Sequence, residues 1–144
     1  MHCPTVPKAF VYLTRGERDL LLVSHPMHPE AGLQVPAGTV EPGEDPEEAA
    51  RRELPEESGL SAFRIERYLG EHTYDMRPFG REQVHRRFFF HAVLIGEAPE
   101  RWRHEERHAG PAPIPLEFFW WDLGAGRPDL IAGHGKMLRH LLDG

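Results

Sequence analysis

Glu53, Glu56 and Glu57 stand at i, i+3 and i+4, so a helix through them would project all three carboxylates from one face. Three like charges packed in this way repel one another and call for a counter-charge. A hard divalent cation that prefers oxygen ligands, Mg²⁺ or Mn²⁺, supplies it. Such an ion can polarise a phosphoryl oxygen and bring the pKa of a bound water toward neutrality. Arg52 is adjacent, and its planar fork can orient a glutamate by a bidentate contact. Upstream, Gly38 and Gly43 let the chain turn tightly beside the carboxylates, and Glu44 falls near the start of the same helix. The spacing of the glutamates alone favours a plainer reading, a solvated surface helix, because charge runs are mostly solvated faces.

The helix that must carry these groups has clear ends. Asp45 is a good N-cap, Pro46 suits the first helical position, Glu48 can reach back as in a capping box, and Gly59 supplies the stop. Glu47 with Arg51, and Glu48 with Arg52, form i,i+4 pairs in the favourable order. The helix is therefore expected over residues 46–58. Pro55 lies inside it and removes the bond to the Arg51 carbonyl, at about 3 kcal/mol in a regular helix. A bend or a loosened last turn is expected, with Glu56 and Glu57 displaced relative to Glu53.

Around this helix the chain reads as one mixed domain. Apolar runs at 9–13 and 20–23 flank a polar gap containing Gly16 and form a hairpin. Residues 24–32 form a loop, 33–36 an extended piece ahead of Pro36, and 37–44 another loop. Residues 63–69 and 84–95 are strands, with a turn at 77–81 between them. Residues 97–115, rich in Pro, Arg, His and Glu, are expected to be a long mobile loop, and 116–123 a last strand. The apolar spacing of 130–142 suits a closing amphipathic helix in spite of Gly133 and Gly135.

Size and charge bound the function. A chain of 144 residues makes one domain with one core, and 28% charged against 40% hydrophobic residues is an ordinary balance for a water-soluble fold. A net charge of −6 argues against a duplex nucleic-acid binder, which would show a basic face. Cys3 has no internal partner, the start has neither a signal-peptide nor a transit-peptide pattern, and no apolar run is long enough to span a bilayer. A cytoplasmic location with no membrane association is expected from these features.

The residues upstream of the glutamates do not belong to a plain surface helix. From Gly38 the chain reads Gly, five residues, Glu44, seven residues, then Arg52-Glu53-Leu54-Pro55-Glu56-Glu57-Ser58-Gly59-Leu60. This resembles the Nudix (MutT-like) box, G-x5-E-x7-R-E-U-x-E-E-x-G-U with U aliphatic, at every fixed position. The resemblance implies an α/β fold, an α/β/α sandwich with a mixed central sheet. It also implies a metal-dependent hydrolase that cleaves the pyrophosphate bond of a nucleoside diphosphate linked to another moiety, by water attack at phosphorus. Carried onto this chain, Glu53 and Glu57 are the metal ligands with Glu56 a third, and Gly38, Glu44 and Arg52 belong to the pyrophosphate-binding box. The general base is Glu56, or Glu105 or Glu106 further along. The alternative is a non-catalytic Nudix module that senses a nucleotide or scaffolds a partner, which would be expected to lose box glutamates. Removal of an RNA cap is a third reading, disfavoured by the negative charge.

Signals for the substrate are poor. Val35-Pro36-Ala37-Gly38 is similar to the approach to the box in ADP-ribose pyrophosphatases, but Asp75 stands where that group has a proline. Diadenosine polyphosphate hydrolases favour a tyrosine slightly beyond Tyr74, and the coenzyme A and NADH subgroup patterns are missing. The partner is therefore a small-molecule nucleotide of unspecified kind, and a homodimer is left open. Arg86 and Arg87 are candidates for phosphate contacts, although alternation puts one on a solvated face. Tyr74, Phe79 and residues 88–90 are candidates for base stacking, against the commoner role of strand aromatics in a core. Trp120 and Trp121 cannot share a face, and His104 with His108 make only a weak zinc argument.

Overall fold

Alternation along the first strand sends its side chains into two separate cores. In β1 (Thr5–Arg15), Ala9, Val11 and Leu13 face one way, and Phe10 and Tyr12 the other, all buried. A strand buried on both faces must lie inside a sheet covered on both sides. The computed structural model, which describes residues 3–106 and 113–142, shows this arrangement. Among the described residues one sheet of seven strands runs in the order β4-β5-β1-β2-β7-β6, with β3 also paired to β1. The strands are β2 (Asp19–Ser24), β3 (Ala37–Thr39), β4 (Phe63–Asp75), β5 (Val84–Leu94), β6 (Arg101–Glu106) and β7 (Ile114–Asp122). β1 and β5 are parallel and the other pairs antiparallel, so the sheet is mixed.

The hairpin β1–β2 pairs at Thr14↔Leu20 and Arg15↔Asp19. Beyond these residues the two strands part, and residues 33–39 fill the gap. Val23 bridges to Gln34, the Val11 N–H donates to the Pro36 carbonyl at 2.9 Å, and β3 pairs with Lys8–Phe10. This insertion brings Gly38 to the sheet beside the helix.

That helix, α1 (Pro46–Ser58), lies on the Ala9–Val11–Leu13 side and buries Ala49, Ala50 and Leu54 there. Leu54 is fully buried, so Leu54→Ala would cost about 2–5 kcal/mol. The opposite core of Phe10, Tyr12, Leu20, Leu22 and Phe89 is capped by Val35, Met137 and Leu138, the last opening α2 (Leu138–Leu142). The result is the expected α/β/α sandwich. No helix among the described residues is long and apolar enough to cross a membrane.

Several expected elements are corrected. The supposed loop at 97–115 contains β6, which pairs with β7 from Arg101↔Phe119 to Glu106↔Ile114. Trp102 and His104 alternate with Arg101, Arg103 and Glu105, so half of β6 is polar because it faces outward. The supposed loop at 37–44 contains β3. β4 runs on to Asp75 because its polar second half still pairs with β5. The closing helix is reduced to Leu138–Leu142, since Ala132 (φ 51°) and Gly133 (φ 74°) lie in the left-handed region and cannot continue a right-handed helix. Pro55 does not break α1, which continues to Ser58. The Gly59 N–H closes on the Pro55 carbonyl at 2.8 Å, and the Ser58 hydroxyl donates to the Leu54 carbonyl at 2.6 Å. Proline in the last turn forfeits one bond while the rest of the turn closes around it.

Candidate functional site

The N-terminus of α1 is set by Asp45, whose carboxylate accepts from the Glu47 N–H at 3.3 Å, and Gly59 ends the helix in the left-handed conformation (φ 82°). Between these caps Arg52 gathers the acidic residues of the loop and the helix. Its Nε and Nη2 donate to the two oxygens of Glu44, both at 2.9 Å, a bidentate fork. Nη2 also donates to the Thr39 carbonyl at 2.9 Å. Nη1 reaches Glu53 at 2.7 Å and Glu56 at 3.2 Å. The expected Glu48–Arg52 pair is therefore replaced by these contacts, while the Glu47–Arg51 pair forms at 2.9 Å. Arg52 holds the Glu44 carboxyl down to about 2, helped by the Glu41 N–H that donates to it, and the glutamates raise the Arg52 guanidinium in return.

Gly38 serves a purpose other than the tight turn expected of it. A Cβ there would lie 2.0 Å from the carboxyl carbon of Glu53 and 2.2 Å from Oε2. The Glu53 carboxylate thus rests directly on the Gly38 backbone, a close approach that any side chain would block. The turn itself is left to Gly43, at φ 80°.

Glu57 borders a cleft of about 560 Å³ whose lining draws on both cores, Leu116 from the α1 side and Phe10 and Val35 from the other. Lys8, Phe79, His85, Arg87 and His134 line it with Glu57 and Glu30, so two acidic side chains share the cleft with cationic, imidazole and aromatic ones. Lys8 donates to Thr39 Oγ1 at 2.8 Å, which ties the cleft to the strand carrying Gly38. Within the wall, Arg87 is 1% exposed and stacks between Phe10 and Tyr74 at 4.7 and 4.3 Å to the ring centres. Burial pushes its guanidinium down to about 10. Burial, with Arg87 beside them, pushes His85 down to about 4 and His134 to about 3.

The donor set fits a hard divalent cation. Glu53, Glu56 and Glu57 offer oxygen alone, and Glu53 is seated at fixed depth on Gly38. Among the described residues no three His, Cys, Asp or Glu side chains converge into a ready-made cage. Mg²⁺ does not require one, since it is usually held by one or two carboxylates together with water and substrate phosphates.

The remaining candidates divide. Glu105 is exposed, on the face of β6 opposite Trp102 and His104, which pack toward the end of α1; Trp102 Nε1 donates to the Ser58 carbonyl at 2.8 Å. The side chain of Glu106, and all of His108, lie outside the described residues. Arg86 is exposed, paired with Glu71, and stacked on Phe88, so it is the solvated member of its pair with Arg87. Trp120 packs on the α1 core and Trp121 on the opposite one, as alternation requires. Lys8, His85 and His134 were not singled out in the sequence. The available signal was the parity of β5, where His85 and Arg87 share a face with the buried Phe89.

The NUDIX domain family profile matches residues 4–141. The NAD-capped RNA hydrolase NudC of Vibrio vulnificus is 34% identical over 74 residues, covering 51% of this chain and 28% of that protein, so the chain aligns with little more than a quarter of that relative. Among solved structures, the MutT protein from Methanosarcina mazei Go1 superposes with a TM-score of 0.71 at 15% identity, over 99% of this chain and 96% of that one. A C. elegans Ap4A hydrolase gives 0.66 at 22% identity, over 96% and 97%. At such identities these likenesses speak for the fold. With the family pattern running through nearly its whole length, the chain belongs to the NUDIX domain family.

Proposed function

We propose that this protein is a metal-dependent hydrolase of the pyrophosphate bond in a nucleoside diphosphate linked to a second moiety, with water attacking phosphorus. One observation carries the reading. Arg52 ties Glu44, Glu53, Glu56 and the Thr39 carbonyl into a single unit, and Gly38 is bare where Glu53 rests. A solvated surface helix has no need of such an arrangement.

Glu53 and Glu57, with Glu56 as a third, would hold Mg²⁺ or Mn²⁺. When bound, such a cation offsets charge on the diphosphate and polarises a phosphoryl oxygen. Arg52 holds Glu53 and Glu56 in place through Nη1, and Glu57 carries the acidic centre to the cleft in which the rest of the substrate would lie. Of the candidate bases, Glu56 shares the helix face of the ligands and is 38% exposed, so it can meet a water; Glu105 lies across β6.

The test is a panel of nucleoside triphosphates, nucleotide sugars, ADP-ribose, dinucleotides and NAD-capped RNA, with Mg²⁺ or Mn²⁺ and with Glu57→Gln as control. Release of a nucleoside monophosphate from one panel member, lost in the variant, is expected. Folded protein that turns over none of them would contradict the proposal.

A further inference from the structure

One wall of the cleft is built around a strained turn. Ala132, at φ 51°, is the single non-glycine residue with positive φ among the described residues, and Gly133 follows at φ 74°. Arg87 fixes the turn by donating from Nη1 to the Ala132 carbonyl. A side chain at Gly133 would meet Tyr74 at 2.6 Å and Arg87 Nη1 at 3.2 Å, so the turn is pressed onto that pair. Backbone strain that surrounding contacts enforce in this way occurs where a side chain has to be presented at a defined point.

The residue presented is His134. It is 7% exposed, packs edge-on against Phe10 at 4.7 Å, and forms part of the cleft wall. Its backbone carbonyl accepts from the Tyr12 hydroxyl at 2.7 Å. Its Nδ1 accepts the Val35 N–H at 3.1 Å, and a backbone amide can only donate, so Nδ1 carries no proton. The ring is therefore the neutral Nε2–H tautomer. Nε2–H meets no protein acceptor among the described residues.

Behind it stands Arg87, a buried cation. Its Nε and Nη2 are also used within the protein: Nε and Nη2 on His85 Nδ1 at 3.3 and 3.2 Å, and Nη2 on the Met76 sulfur at 3.4 Å. No carboxylate pairs with it among the described residues, so its charge acts on the cleft at low dielectric. A positive charge behind a neutral donor favours an electron-rich acceptor and disfavours an amino group. Phe79, 46% exposed, and the half-buried Ile131, both in the cleft lining, offer apolar surface to a flat ring.

The geometry points to His134 as the residue that selects the base of the nucleotide: its Nε2–H donates to a ring carbonyl of a nucleobase lying in the cleft, and Arg87 is the positioning residue that holds the turn. This rests on the nucleotide reading above but not on catalysis, because binding can be measured with chelator present and no turnover.

Two matched pairs of ligands test it by calorimetry on the wild-type protein. Inosine 5′-monophosphate is compared with purine riboside 5′-monophosphate, and uridine 5′-monophosphate with the analogue lacking the 4-carbonyl. At least one pair should differ about tenfold or more in Kd in favour of the carbonyl. If neither pair differs by more than about twofold, the assignment is wrong. His134→Asn keeps an acceptor for the Val35 N–H but loses the far donor, and should erase the discrimination; His134→Gln, which restores a donor, should recover part of it. Undiminished discrimination in a folded His134→Asn protein would also overturn the proposal. Should that variant not fold, the ligand pairs decide alone. Base discrimination without turnover would sink the hydrolase reading and leave this one standing, and turnover without discrimination would do the reverse.

Discussion

Arg52 and Arg87 carry the same guanidinium into two unlike settings. Arg52 lies on α1, a quarter exposed, and contacts Glu44, Glu53 and Glu56 together. Arg87 lies on β5, 1% exposed, between two aromatic rings, with imidazole, carbonyl and sulfur as its acceptors. The first setting is a charge-balanced unit that can hold carboxylates in place while a cation joins them. The second is a single buried charge that polarises a cleft and holds a turn. On the functions proposed above, the contrast separates two tasks, a reacting centre on α1 and recognition in the cleft around Arg87, and each arginine should fail differently when altered.

The largest effect should come from Arg87→Ala. It opens a cavity between Phe10 and Tyr74 and removes the donor to the Ala132 carbonyl, and should cost about 3–5 kcal/mol in chemical denaturation. A loss below 1 kcal/mol would mean that the cluster contributes little to the fold. Gly38→Ala should act on the other region and in the other currency. Its Cβ would collide with the Glu53 carboxyl, so activity should fall about a hundredfold while the melting temperature changes little.

Acid should distinguish the two regions next. His85 and His134 are held below the ordinary imidazole value, so the unfolded chain takes up protons first, from about pH 6.5. Their contribution is complete above that pH and is lost as pH falls toward about 4 and 3, the folded values. Between pH 7 and 5.5 the loss should be about 2 kcal/mol, and His85→Gln should flatten the profile. An unchanged slope in that variant would assign the acid sensitivity to other groups. The smallest effect should be that of Arg52→Lys. A lysine keeps the charge but not the fork that Glu44 grips, so kcat/KM should drop about tenfold with little change in stability.

The same contrast explains what could be read in the sequence. Everything around Arg52 lies close in the sequence: the cap at Asp45, the stop at Gly59, and partners on the same helix or in the short strand and loop just before it, so α1 was legible to its last residue. The reason for Gly38 was not, because it depends on a carboxylate fifteen positions away (53 − 38) arriving on its backbone. The surroundings of Arg87 come from β1, β4, β5 and the segment after β7, and no local pattern joins them. His134 was invisible for the same reason, and the apolar spacing of 130–142 misled because Ala132 and Gly133 take left-handed conformations. β6 was hidden by its polar outward half, although Trp102 and His104 alternate as a strand requires.

Mn²⁺ binding and turnover, measured together on the wild type and on Glu57→Gln, test the central claim most directly. The wild type should bind Mn²⁺ and lose turnover with chelator. The folded variant should bind the ion more weakly and turn over the same substrate at least a hundredfold more slowly. Turnover that survives chelation, or a Glu57→Gln protein as active as the wild type, would contradict the assignment of α1 as the metal-binding catalytic helix.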